Sequence, residues 1–295
     1  MKDFKMIIFC LFTLFASVSC TEDDDTGDYT SKLVVEGWIE DGGFPVVMLS
    51  RSLPVNNEFV AMSDLSNYIL RWAKVTISDG IDSVVLTGKY DAGYFPPYIY
   101  TTSRMKGVAG KNYTLTVEYR NEKVTACTTI PKQPPHCSFI VERCANSDTL
   151  FQMTANFVDI PNEKNFYQFF VRVGTHSKQY LASYLGSIDD EVVGHDVIKV
   201  PIYRGHQLRE KDYTPYFSVN DTVSIKFAQV DEMTFHIWDS YTKNLSLSQN
   251  MFLSTYSNLP SNIIGGYGYW CGYGSITNHF MISPAIVNSK NNLYN

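Results

Sequence analysis

YTLTVEY, Tyr113 to Tyr119, alternates without a break. Tyr113, Leu115, Val117 and Tyr119 fall on one side, and Thr114, Thr116 and Glu118 on the other. A period of two belongs to a half-buried strand, and no helix can put these residues on two clean faces. Gly107, Gly110 and Asn112 supply turn chemistry ahead of it. Working outward, KLVVEGWIE, FPVVMLSRS, AKVTISDG, DSVVLTGKY, PYIYTTS and KVTACTTIP have the same character, rich in Val, Ile, Thr and Tyr and divided by turn residues. Seven short strands in roughly a hundred residues predict an immunoglobulin- or fibronectin-like β-sandwich over residues 29–131. A polar insert, Pro54 to Asn67, reads as a loop with a short helix.

YDAGYFPPYIY (Tyr90 to Tyr100) gathers rings around Pro96 and Pro97. One reading makes Tyr94, Phe95, Tyr98 and Tyr100 a rigid aromatic platform for a ligand or partner protein. The other makes them a proline turn whose rings lie on the sheet.

PKQPPH (Pro131 to His136) has three prolines in six residues. Proline-rich segments are extended and stiff, so 132–136 reads as a linker and 137–295 as a second, β-rich domain. There CSFIVER and TLFQMTANFVD form an expected hairpin, FYQFFVRVG and KQYLASYL a second, and VIKVPIY and TVSIKFAQV two more strands. Asp231 is a candidate N-cap. Met233, Ile237, Tyr241 and Leu245 recur every four residues, predicting one amphipathic helix from about Glu232 to Gln249. PSNIIGGYGYWCGYGSITNHFMIS lacks the lysine and spacing of a phosphate loop. Glycines alternating with aromatics mark bends or close backbone approach, so this reads as a curved strand pair closing the second sheet. The expected fold class is mainly β, a sandwich followed by a β-rich domain with one helix.

Residues 1–19 read as a secretion signal. Lys2 and Lys5 outweigh Asp3, Met6 to Val18 is apolar, and Ala16, Ser17 and Ser19 are small. The apolar run fits a signal core of about 7–15 residues and falls short of the roughly 20 that span a membrane. Two readings are open: plain secretion, or a lipoprotein in which Cys20 becomes the lipid-bearing terminus. Acyl chains on a terminal cysteine anchor a protein without any spanning helix. Ser17-Val18-Ser19-Cys20 has the form of a lipobox, with Ser17 where a large aliphatic residue is usual. Glu22, Asp23, Asp24, Asp25 and Asp28 make 20–28 a solvated, self-repelling tether. It resembles the acidic export signal of surface lipoproteins in Bacteroidota.

The chain has 24 basic and 30 acidic side chains; loss of Lys2, Lys5 and Asp3 leaves 22 against 29. That balance, with no basic block, argues against nucleic acid as a partner. Cys127, Cys137, Cys144 and Cys271 allow three disulfide pairings. A Cys137–Cys144 bond is disfavoured, because seven steps of one strand far exceed the reach of a disulfide. Catalytic, dinucleotide and zinc motifs are missing, so no catalytic, cofactor or metal residue is assigned. His195 and His206, with Asp189, Asp190 and Glu191, could form a metal or acid–base site, or a solvated loop.

The lipidated Cys20, LVVEGWIEDG with a later LSRSLP, VTISDG, YTLTVEY ending in TTIP, and PSNIIGGYGYWCGYGS occur in the order that resembles the Bacteroidota outer-membrane lipoprotein family "domain of unknown function 4249". The resemblance implies lipid anchoring at the outer membrane, exposure at the cell surface and pairing with a TonB-dependent receptor. It supplies no catalytic residue. The expected role is a non-catalytic lipoprotein that captures an unknown small ligand or assists a TonB-dependent transporter. The alternative is a structural or adhesive surface protein.

Overall fold

In β1 (Leu33–Glu40) burial alternates at every step, Leu33, Val35, Gly37 and Ile39 being buried and Val34, Glu36, Trp38 and Glu40 only partly so. The same rule builds most of the chain. The computed structural model describes residues 30–53, 64–161, 163–193, 197–205, 213–248 and 259–283. After β1 come β2 (Val46–Arg51), a 3-10 turn (Asp64–Tyr68), β3 (Lys74–Ser78), β4 (Ser83–Val85), β5 (Thr87–Tyr90) and β6 (Tyr98–Thr101). Next are β7 (Asn112–Tyr119), β8 (Glu122–Thr129), β9 (Cys137–Arg143), β10 (Leu150–Val158), β11 (Phe166–Val173) and β12 (Leu181–Asp189). The rest are α1 (Asp190–Val193), β13 (Val197–Ile202), β14 (Phe217–Ser218), β15 (Thr222–Val230), α2 (Glu232–Ser248) and β16 (Tyr267–Met281). The protein is mainly β, with one long helix.

An eight-stranded sheet runs β12-β11-β15-β16-β1-β2-β6-β5. On one of its faces, termed inner, it packs against two four-stranded sheets, β4-β3-β7-β8 and the set β13-β10-β14 with β9 also on β10. The first core joins Leu33, Val35, Ile39, Val47 and Leu49 to Val75, Ile77, Leu115, Val117 and Val124. The second joins Tyr167, Phe169, Ile225 and Phe227 to Phe139, Phe151, Met153 and Phe157. Both are two-layer sandwiches, and β7, where the reading began, lies over the first with Tyr113, Leu115 and Val117 buried.

The expected boundary falls between these cores, yet one sheet crosses it. β16 lies parallel to β1 from Val34↔Tyr267 to Glu40↔Tyr273 and antiparallel to β15 from Gln229↔Gly274 to Thr222↔Met281. It is therefore one strand of fifteen residues, in place of the expected strand pair. Its Trp270 is fully buried in the first core, where the indole Nε1 donates to the Tyr113 carbonyl at 2.9 Å. Gly37, opposite Trp270, leaves room for the ring: a Cβ there would lie 2.9 Å from Trp270 Cε3. A Cβ on Gly272 would stand 2.5 Å from the Thr129 carbonyl oxygen, and one on Gly274 2.1 Å from that of Lys132. The chain entering the linker thus crosses directly over β16, and the glycines admit it.

Three further details differ from the strand-by-strand reading. DSVVLTGKY is two strands in different sheets, β4 and β5, divided at the buried Leu86, whose N–H donates to the Val75 carbonyl at 2.8 Å. Asp231 does cap α2, its Oδ1 accepting from the Thr234 N–H at 2.7 Å. The buried stripe of that helix, however, is Thr234, Ile237, Trp238 and Thr242, and Met233 is exposed. Of the expected face, Ile237 and Tyr241 do pack on the sheet and Met233 falls outside it, because α2 presents its i, i+3, i+4 positions there. None of the three disulfide pairings forms: Cys127, Cys137, Cys144 and Cys271 are free thiols. Among the described residues no helix is long and apolar enough to cross a membrane.

Trp270→Ala should lower stability by about 3–5 kcal/mol, the usual loss for a buried large aromatic. Gly274→Ala should cost about 1–3 kcal/mol through overpacking against the crossing backbone. Urea unfolding of each variant against wild type measures both.

Candidate functional site

The other, outer face of the eight-stranded sheet carries polar and aromatic side chains where an apolar layer would be the simpler solution. α2 covers one part of it, packing Ile237 and Trp238 over Phe166, Phe170, Ala228 and Cys271. Trp238 Nε1 donates to the Tyr273 hydroxyl at 3.0 Å.

Beyond the helix lies a charged strip. Lys226 projects from a strand that is otherwise almost wholly buried. Its Nζ reaches Glu40 Oε1 at 2.5 Å, and Ser275 Oγ donates to Glu40 Oε2 at 3.0 Å. The Lys226 side chain is 9% exposed and that of Glu40 21%. The ammonium also sits 4.4 Å from the Tyr180 ring centroid, and the Arg172 guanidinium 4.8 Å from the same centroid. Arg172 Nη2 donates to Ser224 Oγ at 3.1 Å, which in turn contacts His279 Nδ1 at 2.9 Å. Arg172 Nε is buried with no partner among the described residues.

Two hairpin tips meet beside this strip. Residues 91–97 join β5 to β6, at one end of the sheet order, and 174–180 join β11 to β12, at the other. The Lys178 N–H donates to the Gly93 carbonyl at 2.8 Å, and the Phe95 N–H to Gln179 Oε1 at 3.2 Å. Lys178 Nζ pairs with Asp91 at 2.9 Å, and that ammonium holds the Asp91 carboxyl below the usual carboxylate range. For the tips to touch, the sheet must curl across its outer face. Tyr94 is carried in with its ring 6.2 Å from that of Trp38, and burial pushes its phenol up from its ordinary value.

The four rings singled out in the sequence therefore separate. Tyr94 joins the outer face, and Phe95 stands exposed at the tip. Tyr100 is 2% exposed in the first core, its hydroxyl donating to the Leu70 carbonyl at 2.8 Å. Tyr98 packs beside it, with centroids 5.6 Å apart. Strand alternation puts Tyr98 and Tyr100 on the core face of β6, so no platform of four exists. Asp190 is buried, while Asp189 and Glu191 are near the surface. His195, His206 and Cys20 lie outside the described residues. Glu40, Arg172, Tyr180 and Lys226 were not foreseen, and the one available signal was a lysine inside the apolar TVSIKFAQV.

Chemically the strip offers fixed donors, ring faces and one guanidinium that has no carboxylate partner among the described residues, which suits a ligand carrying acceptor groups. Among the described residues no three His, Cys, Asp or Glu side chains gather as metal ligands. Burial pushes the Cys137 and Cys271 thiols up to about 12, which leaves them protonated at neutral pH and poor nucleophiles. Glu40→Ala should destabilise by about 3–5 kcal/mol, because it strands a buried ammonium. Adding Lys226→Met should restore most of that loss, and a double-mutant cycle in urea reads the difference.

Comparison with known proteins adds one finding. The family model described as Domain of unknown function (DUF4249) matches residues 21–278. No curated protein matches the chain. Since the matched span takes in nearly all of the described fold, this chain belongs to the DUF4249 family.

Proposed function

We propose that this chain is a non-catalytic lipoprotein of the outer membrane, exposed at the cell surface, that captures a ligand for a TonB-dependent transport system or serves as its accessory component. The observation that carries the reading is the outer-face strip, where Trp38, Tyr94, Tyr180 and Arg172 lie beside two touching hairpin tips. Rings and a guanidinium fixed on a sheet bind by stacking and hydrogen bonding without needing to supply a nucleophile. The anchor reading rests on Cys20 after a short apolar run, and the acidic segment 22–28 serves as the tether. The family match starts at Thr21, the residue after Cys20, which supports this reading.

Two measurements test this. Cells fed an alkyne fatty acid should label the wild type and leave Cys20→Ala unlabelled; an unlabelled wild type sinks the anchor. Affinity purification from detergent-solubilised outer membranes should bring down a TonB-dependent receptor, and the paired change Tyr94→Ala with Arg172→Met should weaken that recovery at least several-fold. Recovery unchanged by those substitutions would move the contact away from the strip. Absence of any receptor, with normal nutrient uptake but lost attachment in a deletion strain, would favour an adhesive role instead.

A further inference from the structure

Several strand ends meet at one end of the first sandwich. The starts of β1, β3, β8 and β16 and the ends of β2 and β7 lie there, as the pairings Leu33↔Arg51, Val34↔Tyr267, Lys74↔Glu118 and Glu118↔Lys123 require. Arg51 ties the two layers together, pairing with Glu122 at 2.5 Å and standing 5.5 Å from the Tyr119 ring centroid. The segment ahead of β16 closes the same end. Ile264 bridges to Thr125, and a Cβ on Gly266 would lie 2.6 Å from the Leu33 carbonyl oxygen.

Large apolar side chains stand in water here. Trp72, two residues ahead of Lys74, is 88% exposed, Ile264 74% and Tyr267 49%. The other three tryptophans, Trp38, Trp238 and Trp270, are buried or partly buried. Exposed apolar groups gathered in one place mark an interaction surface. Bases are set among them. Lys32 Nζ lies 5.0 Å from the Tyr267 ring centroid, and the Arg120 guanidinium 5.4 Å from that of Tyr119. Lys32, Arg120 and Lys123 are exposed and have no ion pair among the described residues, whereas Arg51 and Lys74 are matched by Glu122 and Glu118. These strand ends are therefore locally positive, on a chain whose net charge is −6.

The tether joins the domain at this same end. Residues 20–31 lead directly into Lys32. At full extension they span about 40 Å, and as a coil about 20 Å. Tryptophan and tyrosine favour the boundary between headgroups and acyl chains, and bases favour lipid phosphate. We infer that this end of the first sandwich, through Trp72, Ile264, Lys32, Arg120 and Lys123, is a lipid-contacting surface that seats the domain on the phosphate-bearing face of the bilayer. Its closeness to the bilayer rests on the Cys20 anchor proposed above, to which it adds a second, reversible contact. A short tether holds the surface at an effective concentration of about millimolar, so a contact that is weak alone keeps the domain seated and fixes which end faces the lipid.

The test uses vesicles of phosphatidylethanolamine and phosphatidylglycerol in a two-to-one ratio, with bromine on the acyl chains as a short-range quencher of tryptophan. Two forms are compared: the acylated protein from membranes, and the chain from Cys20 onward, which holds every described residue, made without its signal and so without acyl groups. In both, the vesicles should quench part of the tryptophan emission, and Trp72→Phe should abolish that part. Changing Lys32, Arg120 and Lys123 together to Gln should raise the lipid needed by the unacylated chain about a hundredfold, at about fivefold for each base. Salt at about 0.5 M should weaken binding in the same direction. All four altered side chains are exposed, and far-ultraviolet circular dichroism checks that each variant is folded. Acylated protein whose emission is not quenched through Trp72 overturns the surface while leaving the anchor in place. Quenching unchanged by the triple substitution overturns it as well. Quenching of the unacylated chain, with a wild type that takes up no fatty acid in cells, supports the surface although the anchor has failed.

Discussion

The parallel pairing of β1 with β16 is the constraint on which the rest depends. It joins residues 34–40 to 267–273, nearly the whole described length of the chain. No hairpin can make such a contact, and its loop-closure entropy must be met by what the pairing buries. Trp270 supplies much of that burial. The ring fills the first core, its N–H is satisfied by Tyr113, and Gly37 opposite has no side chain to obstruct it. The same strand then runs on past Gly272 and Gly274 into the second core, where Phe280 is buried. One strand thus holds two cores in register on one face. Pro131 and Lys132, at the start of the proline-rich segment, lie directly against the strand at Gly274.

With the inner face committed to two apolar cores, charge is left to the outer face and to the core ends. The two places handle it differently. Lys226 and Glu40 neutralise each other, with Tyr180 stacked on the ammonium and Ser275 on the carboxylate. Burial of both ions is tolerable because every partner is in place. Asp159 and Asp190 have hydrogen bonds on one oxygen each and, among the described residues, none on the other. The outer-face strip shows a smaller deficit of the opposite sign at Arg172 Nε.

Much of the architecture was legible from residue order, because strand periodicity is a local property. YTLTVEY, LVVEGWIE and TLFQMTANFV alternate so regularly that the facing of each residue follows directly. Asp231 identified the start of α2 through its side-chain geometry alone. Errors arose where the local pattern was ambiguous. DSVVLTGKY has no turn residue at Leu86, so nothing marks the switch between sheets. Met233 extends the four-residue spacing of α2 although the sheet lies a fraction of a turn away. The Tyr90–Tyr100 cluster looked like one surface in composition, and alternation along β6 divided it between core and exterior.

By itself, then, the sequence determined the β class, the strands and their two faces, the helix and its cap, and the close approach signalled by alternating glycines. Each of these depends on residues within a few positions of one another. Only the tertiary structure decided that the last strand pairs with the first, that the two halves share a sheet, and that Arg172, Lys226, Tyr180, Glu40 and Tyr94 meet on one face. Those contacts join residues as much as 235 positions apart, as Ser275 with Glu40. No periodicity extends that far. They are set by which edges remain open after the local hairpins have formed, and by which partner leaves the fewest buried polar groups unsatisfied.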